Sequence, residues 1–172
     1  MQIMRKLTLL FVPGALLLDE MAIDDLVSFD PVNKKTFGLV DLDKFTEPED
    51  KGKRGDHGLV LMYQPFQGQW VQAIAAFLSA GATRGRTLKH IILEAVLLLE
   101  NSGFHVDCIT TDGASWNRTM WDLFGVSKET SSFEHPCDSQ RELYFASDFP
   151  HLVKNMWARI VNKKILNVGG EL

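Results

Sequence analysis

Residues 106–115 read Val-Asp-Cys-Ile-Thr-Thr-Asp-Gly-Ala-Ser, and this stretch decides the fold. Its first six residues have the length and β-branched content of a strand, Asp112-Gly113 ends it, and a helical stretch follows around residues 116–124. Upstream, Leu88, Ile91, Ile92, Ala95, Val96, Leu98 and Leu99 recur at helical spacing, with Thr87 as the expected N-cap and Gly103 as the stop. Downstream, residues 143–146 form another short apolar run, and residues 150–163 suit a helix with Ser147 or Asp148 capping and Pro150 in its first turn. Helix, strand, helix, strand, helix is the order that builds the parallel part of a mixed α/β sheet.

The N-terminal half is richer in hairpins. Residues 15–18 form a short apolar strand closed by Asp19. Residues 26–29 and 36–40 flank a turn at Asp30-Pro31-Val32-Asn33, and residues 59–63 and 70–78 flank Pro65-Phe66-Gln67-Gly68. Residues 41–56 are charged and poor in apolar side chains, as in a solvated loop, and residues 127–140 read as a polar connection. The division expected is an N-terminal extension at 1–14, one domain at 15–163 and a tail at 164–172.

With 172 residues, 45% of them hydrophobic and 23% charged, the chain has a globular composition that excludes collagen, coiled coil and disorder. The net charge of −4 gives no general attraction to phosphate backbones, so any contact with nucleic acid rests on a local site. Cys108 and Cys137 are too few for a disulfide framework or a cysteine-ligated zinc finger. Arg5-Lys6 followed by the apolar run from Leu7 has the outline of a signal peptide. Pro13-Gly14 interrupts that run, however, and Asp19-Glu20 ends it with acids. A soluble, intracellular chain with no membrane span is the expectation.

Ligands of open α/β sheets collect beyond the carboxyl ends of the strands. Asp19, Asp112 and Asp148 each stand directly after a short apolar run. An aspartate there often serves only as a cap or turn residue. Asp19 and Asp112 together are more telling: two such carboxylates repel unless a cation lies between them, and Mg²⁺ binds through one or two carboxylates, leaving positions for water and phosphate. Two such metals can activate an attacking oxygen and stabilise a leaving one in phosphodiester chemistry.

Four motifs extend this pattern. Leu18-Asp19-Glu20-Met21, Thr110-Thr111-Asp112-Gly113-Ala114, Phe133-Glu134-His135-Pro136 and residues 147–154, Ser-Asp-Phe-Pro-His-Leu-Val-Lys, resemble the P-element-type transposases and their THAP-domain relatives, in the same order. Gly68-Gln69-Trp70 and residues 121–126 fall between them. The resemblance implies an RNase H-like domain: a five-stranded mixed sheet flanked by helices, truncated here on its C-terminal side. It implies that Asp19 and Asp112 are the first two acids of a catalytic triad holding Mg²⁺ or Mn²⁺. It also implies transposon-end DNA as the partner of the intact protein, homo-oligomeric action and a nuclear location, or a cytoplasmic one if the chain is domesticated.

Asp148 and His151 resemble an active-site neighbour motif, in which His151 contacts a phosphate or holds a carboxylate by a hydrogen bond. Lys154 and Arg159 on the following helix are candidate phosphate contacts, equally at home as solvated helix charges. His135-Pro136 is expected to shape a connection and carry no chemistry. Trp116, Trp121 and Trp157, tempting as base-stacking platforms, are expected to pack in the core because of their helical spacing, and strand-borne Trp70 likewise.

The resemblance also implies parts that find no match. GTP would bind only an insertion following the fifth strand, and the third acid is a glutamate beyond that insertion, a role Glu171 is not nominated to fill. A chain with two of the three acids is expected to be inactive alone, as a fragment or a domesticated DNA- or protein-binding module.

Overall fold

The computed structural model describes residues 12–24, 27–113 and 115–163, and leaves undescribed the side chains of residues 115, 116, 159, 162 and 163. In chain order the elements are β1 (Val12–Ala22), β2 (Ser28–Asp30), β3 (Lys35–Phe37), β4 (His57–Pro65), β5 (Gln72–Ser79), α1 (Gly85–Asn101), β6 (Phe104–Thr111), α2 (Ser115–Leu123), β7 (Ser132–Glu134), β8 (Glu142–Ser147) and α3 (Phe149–Lys163). Two short 3₁₀ turns, Asp43–Phe45 and Pro48–Asp50, interrupt the charged loop. No described helix is long and apolar enough to cross a membrane.

The main sheet has the order β5-β4-β1-β6-β8-β7. β1, β6 and β8 run parallel at its centre, and β4, β5 and β7 pair antiparallel around them. Residues 12–18 of the apolar run lie in the central strand β1. β1 opens at Val12, inside the stretch set aside as an extension.

One sheet face carries the core. Leu16 and Leu18 of β1, Leu59 and Leu61 of β4, Val106 and Ile109 of β6 and Leu143 of β8 are all buried. Leu88, Ile91, Ile92, Val96 and Leu99 of α1 close over them, joined by Met120 of α2. Each fully buried aliphatic side chain contributes about 1.5–3 kcal/mol against leaving it exposed. α1 and α2 touch closely enough that a Cβ on Gly85 would meet the Met120 backbone and the Thr119 side chain at 3.0 Å. α1 thus starts at Gly85 behind Arg84, and Thr87, expected as its cap, is instead a buried residue of its first turn.

Three further expectations need correction. The sheet has six strands, because the polar connection contains β7, whose Phe133 packs against the core and meets the Phe124 ring. Trp157 is 67% exposed and Trp70 is 44% exposed, the latter lying against Tyr63 and Phe104. Helical spacing gives α3 an apolar stripe, yet Phe149, Leu152, Met156 and Trp157 all face out, because no other described element covers it. Trp121 packs against the core as expected, whereas the Trp116 side chain lies outside the described residues.

A hairpin forms around the turn at Asp30-Pro31-Val32-Asn33, with strands Ser28–Asp30 and Lys35–Phe37 in place of the longer 26–29 and 36–40. Asp30 Oδ1 accepts from Val32 and Asn33 N–H at the turn between β2 and β3. Cys108 is part-buried and Cys137 exposed, both free, and burial pushes each thiol up, away from thiolate reactivity.

Candidate functional site

The parallel register sets up one row across the sheet. Leu18 of β1 stands beside Thr111 of β6, and Thr111 stands beside Ser147 of β8. Leu18 and Thr111 are buried. The next residue on each chain is an aspartate: Asp19, Asp112 and Asp148, all part-exposed. Asp112 and Asp148 thus stand just past the carboxyl ends of β6 and β8, whereas Asp19, expected to close its strand, lies within β1, which runs on to Ala22 because it stays paired with β4; the three adjoin where the parallel pairing stops.

Each aspartate is held differently. Asp112 leaves β6 at a turn made by Gly113, whose φ of 75° suits glycine. Its Oδ1 accepts from Asn117 Nδ2 at 2.5 Å, and Asn117 is buried on α2. Asp148 donates its backbone N–H to the Thr111 carbonyl at 2.7 Å, which ties the start of α3 to the tip of β6. Its Oδ2 lies 2.5 Å from His151 Nδ1, a contact three residues along the first turn of α3. Lys154 projects from exposed α3, and the Arg159 side chain lies outside the described residues, as does Glu171.

Two residues without a role in the sequence reading support this end of the sheet. Glu20 Oε1 accepts from Thr83 N–H and Thr83 Oγ1, both at 2.8 Å, so the residue after Asp19 clamps the β5–α1 loop to β1. Glu20 Oε2 is buried and meets no donor among the described residues. Asn117 and Glu20 line one small pocket with Asp19, Leu18, Leu59 and Leu88. No local signal marks either one: their partners are 5 and 63 residues away.

The donor type suits a hard divalent cation, since carboxylate oxygens on adjoining strands are the ligands Mg²⁺ takes. Among the described residues no three His, Cys, Asp or Glu side chains come together as a complete metal cage. A cation at Asp19 and Asp112 would therefore keep most of its coordination positions for water or phosphate.

Against known proteins, the model of the family described as TNP-like, RNase H N-terminal domain matches residues 6–125. Over 56 residues, 33% of the chain, the sequence is 34% identical to the Transposable element P transposase of Drosophila melanogaster, and this covers 8% of that protein. Among solved structures, a chain of the Drosophila P element transposase strand transfer complex superposes with a TM-score of 0.68 at 21% identity. That match covers 90% of this chain and 30% of the other, a likeness of fold. The chain spans well under two thirds of either relative.

Proposed function

This chain belongs to the family of TNP-like RNase H N-terminal domains, and from that premise we propose that it is the RNase H-like part of a P-element-type transposase that cuts and joins DNA strands when intact. The observation that carries the reading is the row Leu18–Thr111–Ser147 with its three following aspartates. Asp19 and Asp112 would hold the divalent cation, Mg²⁺ or Mn²⁺, and that ion would supply Lewis-acid stabilisation of charge on phosphate oxygens. Asn117 orients the Asp112 carboxylate through its 2.5 Å hydrogen bond, and Glu20 fixes the strand segment beside Asp19. His151, braced by Asp148, presents an imidazole edge at the third tip, where it contacts a DNA phosphate. Lys154, exposed on the same helix, adds a cation along that path.

The isolated chain is expected to bind the cation weakly and not to cleave DNA. Two carboxylates position a metal loosely, and misplacement by about 1 Å costs about 100-fold in rate. Titration of the full 172-residue chain with Mn²⁺, followed by NMR, tests the site. Paramagnetic broadening should centre on residues 18–20 and 111–113 and disappear in Asp112→Asn. Broadening centred on the acidic loop at 41–56 would remove the reading.

A second reading, a non-catalytic DNA- or protein-binding module, is favoured by the exposed apolar stripe of α3, with Phe149, Leu152, Met156 and Trp157 turned outward. Strand cleavage by the isolated chain that Asp112→Asn abolishes would eliminate it. DNA ends, oligomeric action and a nuclear location belong to the first reading.

A further inference from the structure

α3 combines exposed aromatic rings with charge of a single sign. Residues 149–163 include Lys154, Arg159 and Lys163 and hold no aspartate or glutamate, although the whole chain carries −4. Residues 152–158, almost two turns, are all exposed. Phe149, Val153, Trp157 and Val161 recur at every fourth position and so form one ridge along the helix. All four are exposed, Phe149 at 71%. Lys154 is exposed too and stands three residues before Trp157, as its neighbour on the helix surface. The rings of Phe149 and Trp157 belong to residues about 12 Å apart along the helix axis.

One end of this ridge is fixed to the aspartate row. Phe149 follows Asp148 directly, and the Asp148 N–H bond to the Thr111 carbonyl pins the first turn of α3 to the end of β6. A chain laid along the ridge therefore has one end beside Asp112.

The chemistry of the ridge selects among charged partners. Its cations ask for an anion, and its rings ask for flat apolar faces. A duplex presents phosphates but keeps its base faces inside the stack, and an acidic peptide presents no series of π faces. Unpaired nucleotides present both, because their bases stack on aromatic side chains while the phosphates run past the cations.

We propose that α3 is a platform for a single-stranded stretch of the DNA substrate, with bases stacked on Trp157 and Phe149, a phosphate at Lys154, and the strand directed at the aspartate row. The spacing of the two rings corresponds to about three to four nucleotides at about 3.4 Å per step. This inference rests on the DNA-cutting reading and names the form of DNA that the site receives.

Fluorescence anisotropy of a labelled oligothymidine, and of a duplex of equal length, titrated with the full chain in the absence of divalent ions, tests the proposal. The single strand should bind more tightly than the duplex. Trp157→Ala should weaken single-strand binding by about 5- to 150-fold, the loss of one stacked base, and Trp157→Phe should keep most of the affinity. Lys154→Gln should lower the slope of log affinity against log salt by about 0.7. Both side chains are exposed, so their loss should leave the thermal midpoint unchanged. Equal affinity for the duplex, or single-strand binding indifferent to Trp157→Ala, overturns the platform. A midpoint lowered by Trp157→Ala, or a dimer which that change dissociates, also overturns it, because the ring would then pack within the chain or between copies. The Mn²⁺ broadening at residues 18–20 and 111–113 uses no oligonucleotide, so failure of the metal reading and failure of the platform are seen separately.

Discussion

Strand β6 connects two charged clusters with opposite character. At its start, Arg141 donates through Nη1 to both oxygens of Glu100 at 3.0 Å and through Nη2 to Asp107 at 2.7 Å. Glu100 also accepts the Val106 N–H at 2.8 Å. His135, fully buried as a side chain, directs Nε2 at the Val106 carbonyl and accepts the Cys137 N–H on Nδ1, which makes it the neutral Nε2-protonated tautomer. At the other end of β6, Asp112 stands between Asp19 and Asp148 with carboxylates part-exposed. A cluster whose charges are all answered inside the chain is architecture. Carboxylates on adjoining strands in reach of solvent keep their capacity to bind.

The comparison is broken most directly at the closed end. Arg141→Met removes the partner of two part-buried acids, and losing one member of such a pair costs about 3–5 kcal/mol when fully buried. Because Arg141 and Asp107 keep some solvent, about 2–3 kcal/mol is expected, read as a lower urea midpoint at unchanged slope. Asp112→Asn should cost far less, since its amide oxygen still accepts from Asn117. Equal losses would erase the distinction between the two ends.

Gly14→Ala tests the brace beside the closed cluster. A Cβ there would run into the Tyr63 ring and hydroxyl and the Gln64 carbonyl, neither of which can yield. Tyr63 donates to the Val12 carbonyl at 2.5 Å, and burial, helped by Asp107 and Glu100, pushes its hydroxyl up to about 12. Overpacking of this kind costs about 1–3 kcal/mol. Thermal unfolding should fall accordingly, and the tyrosine should titrate at ordinary alkaline pH once the packing loosens.

The pH response should also separate the ends. Burial alone would raise the Glu100 carboxyl, but the hydrogen bonds from Arg141 and Val106 outweigh it and hold the group below its ordinary 4.5. A depressed folded value means that this contribution is complete above about 4.5 and is lost as pH falls below it. The fall in urea midpoint on acidification from pH about 6 to pH about 3.5 should be steeper in the wild type than in Arg141→Met. Parallel curves would show that the Arg141 pair carries no linkage.

The smallest effect belongs to the open end. Mg²⁺ at a few times its dissociation constant should stabilise the wild type by about 0.5–1 kcal/mol through mass action, and Asp19→Asn or Asp112→Asn should remove the gain. Stabilisation that survives both changes would place the ion elsewhere.

Much of the fold was legible locally. The alternation of residues 106–124 announced strand, turn and helix because side-chain period and a glycine break are properties of the local chain. The three aspartates were legible for the same reason, each following an apolar run. β7 was not, since three residues with one aromatic carry too little pattern, and their pairing with β8 makes them a strand. Trp157 misled because periodicity reports that a helix has an apolar stripe and says nothing of what covers it.

The sequence by itself determined the order of the elements apart from β7, the placement of Asp112 and Asp148 at strand ends, and the likeness to the transposase family. Only the tertiary structure decided that Leu18, Thr111 and Ser147 share one row, that Asn117 and Glu20 serve the aspartate end, and that Glu100, Asp107, His135 and Arg141 close on one another. The physical reason is range. Turns, caps and side-chain periods are fixed by neighbours within a few residues, whereas register and the pairing of buried charges depend on contacts between segments that meet only when the sheet assembles.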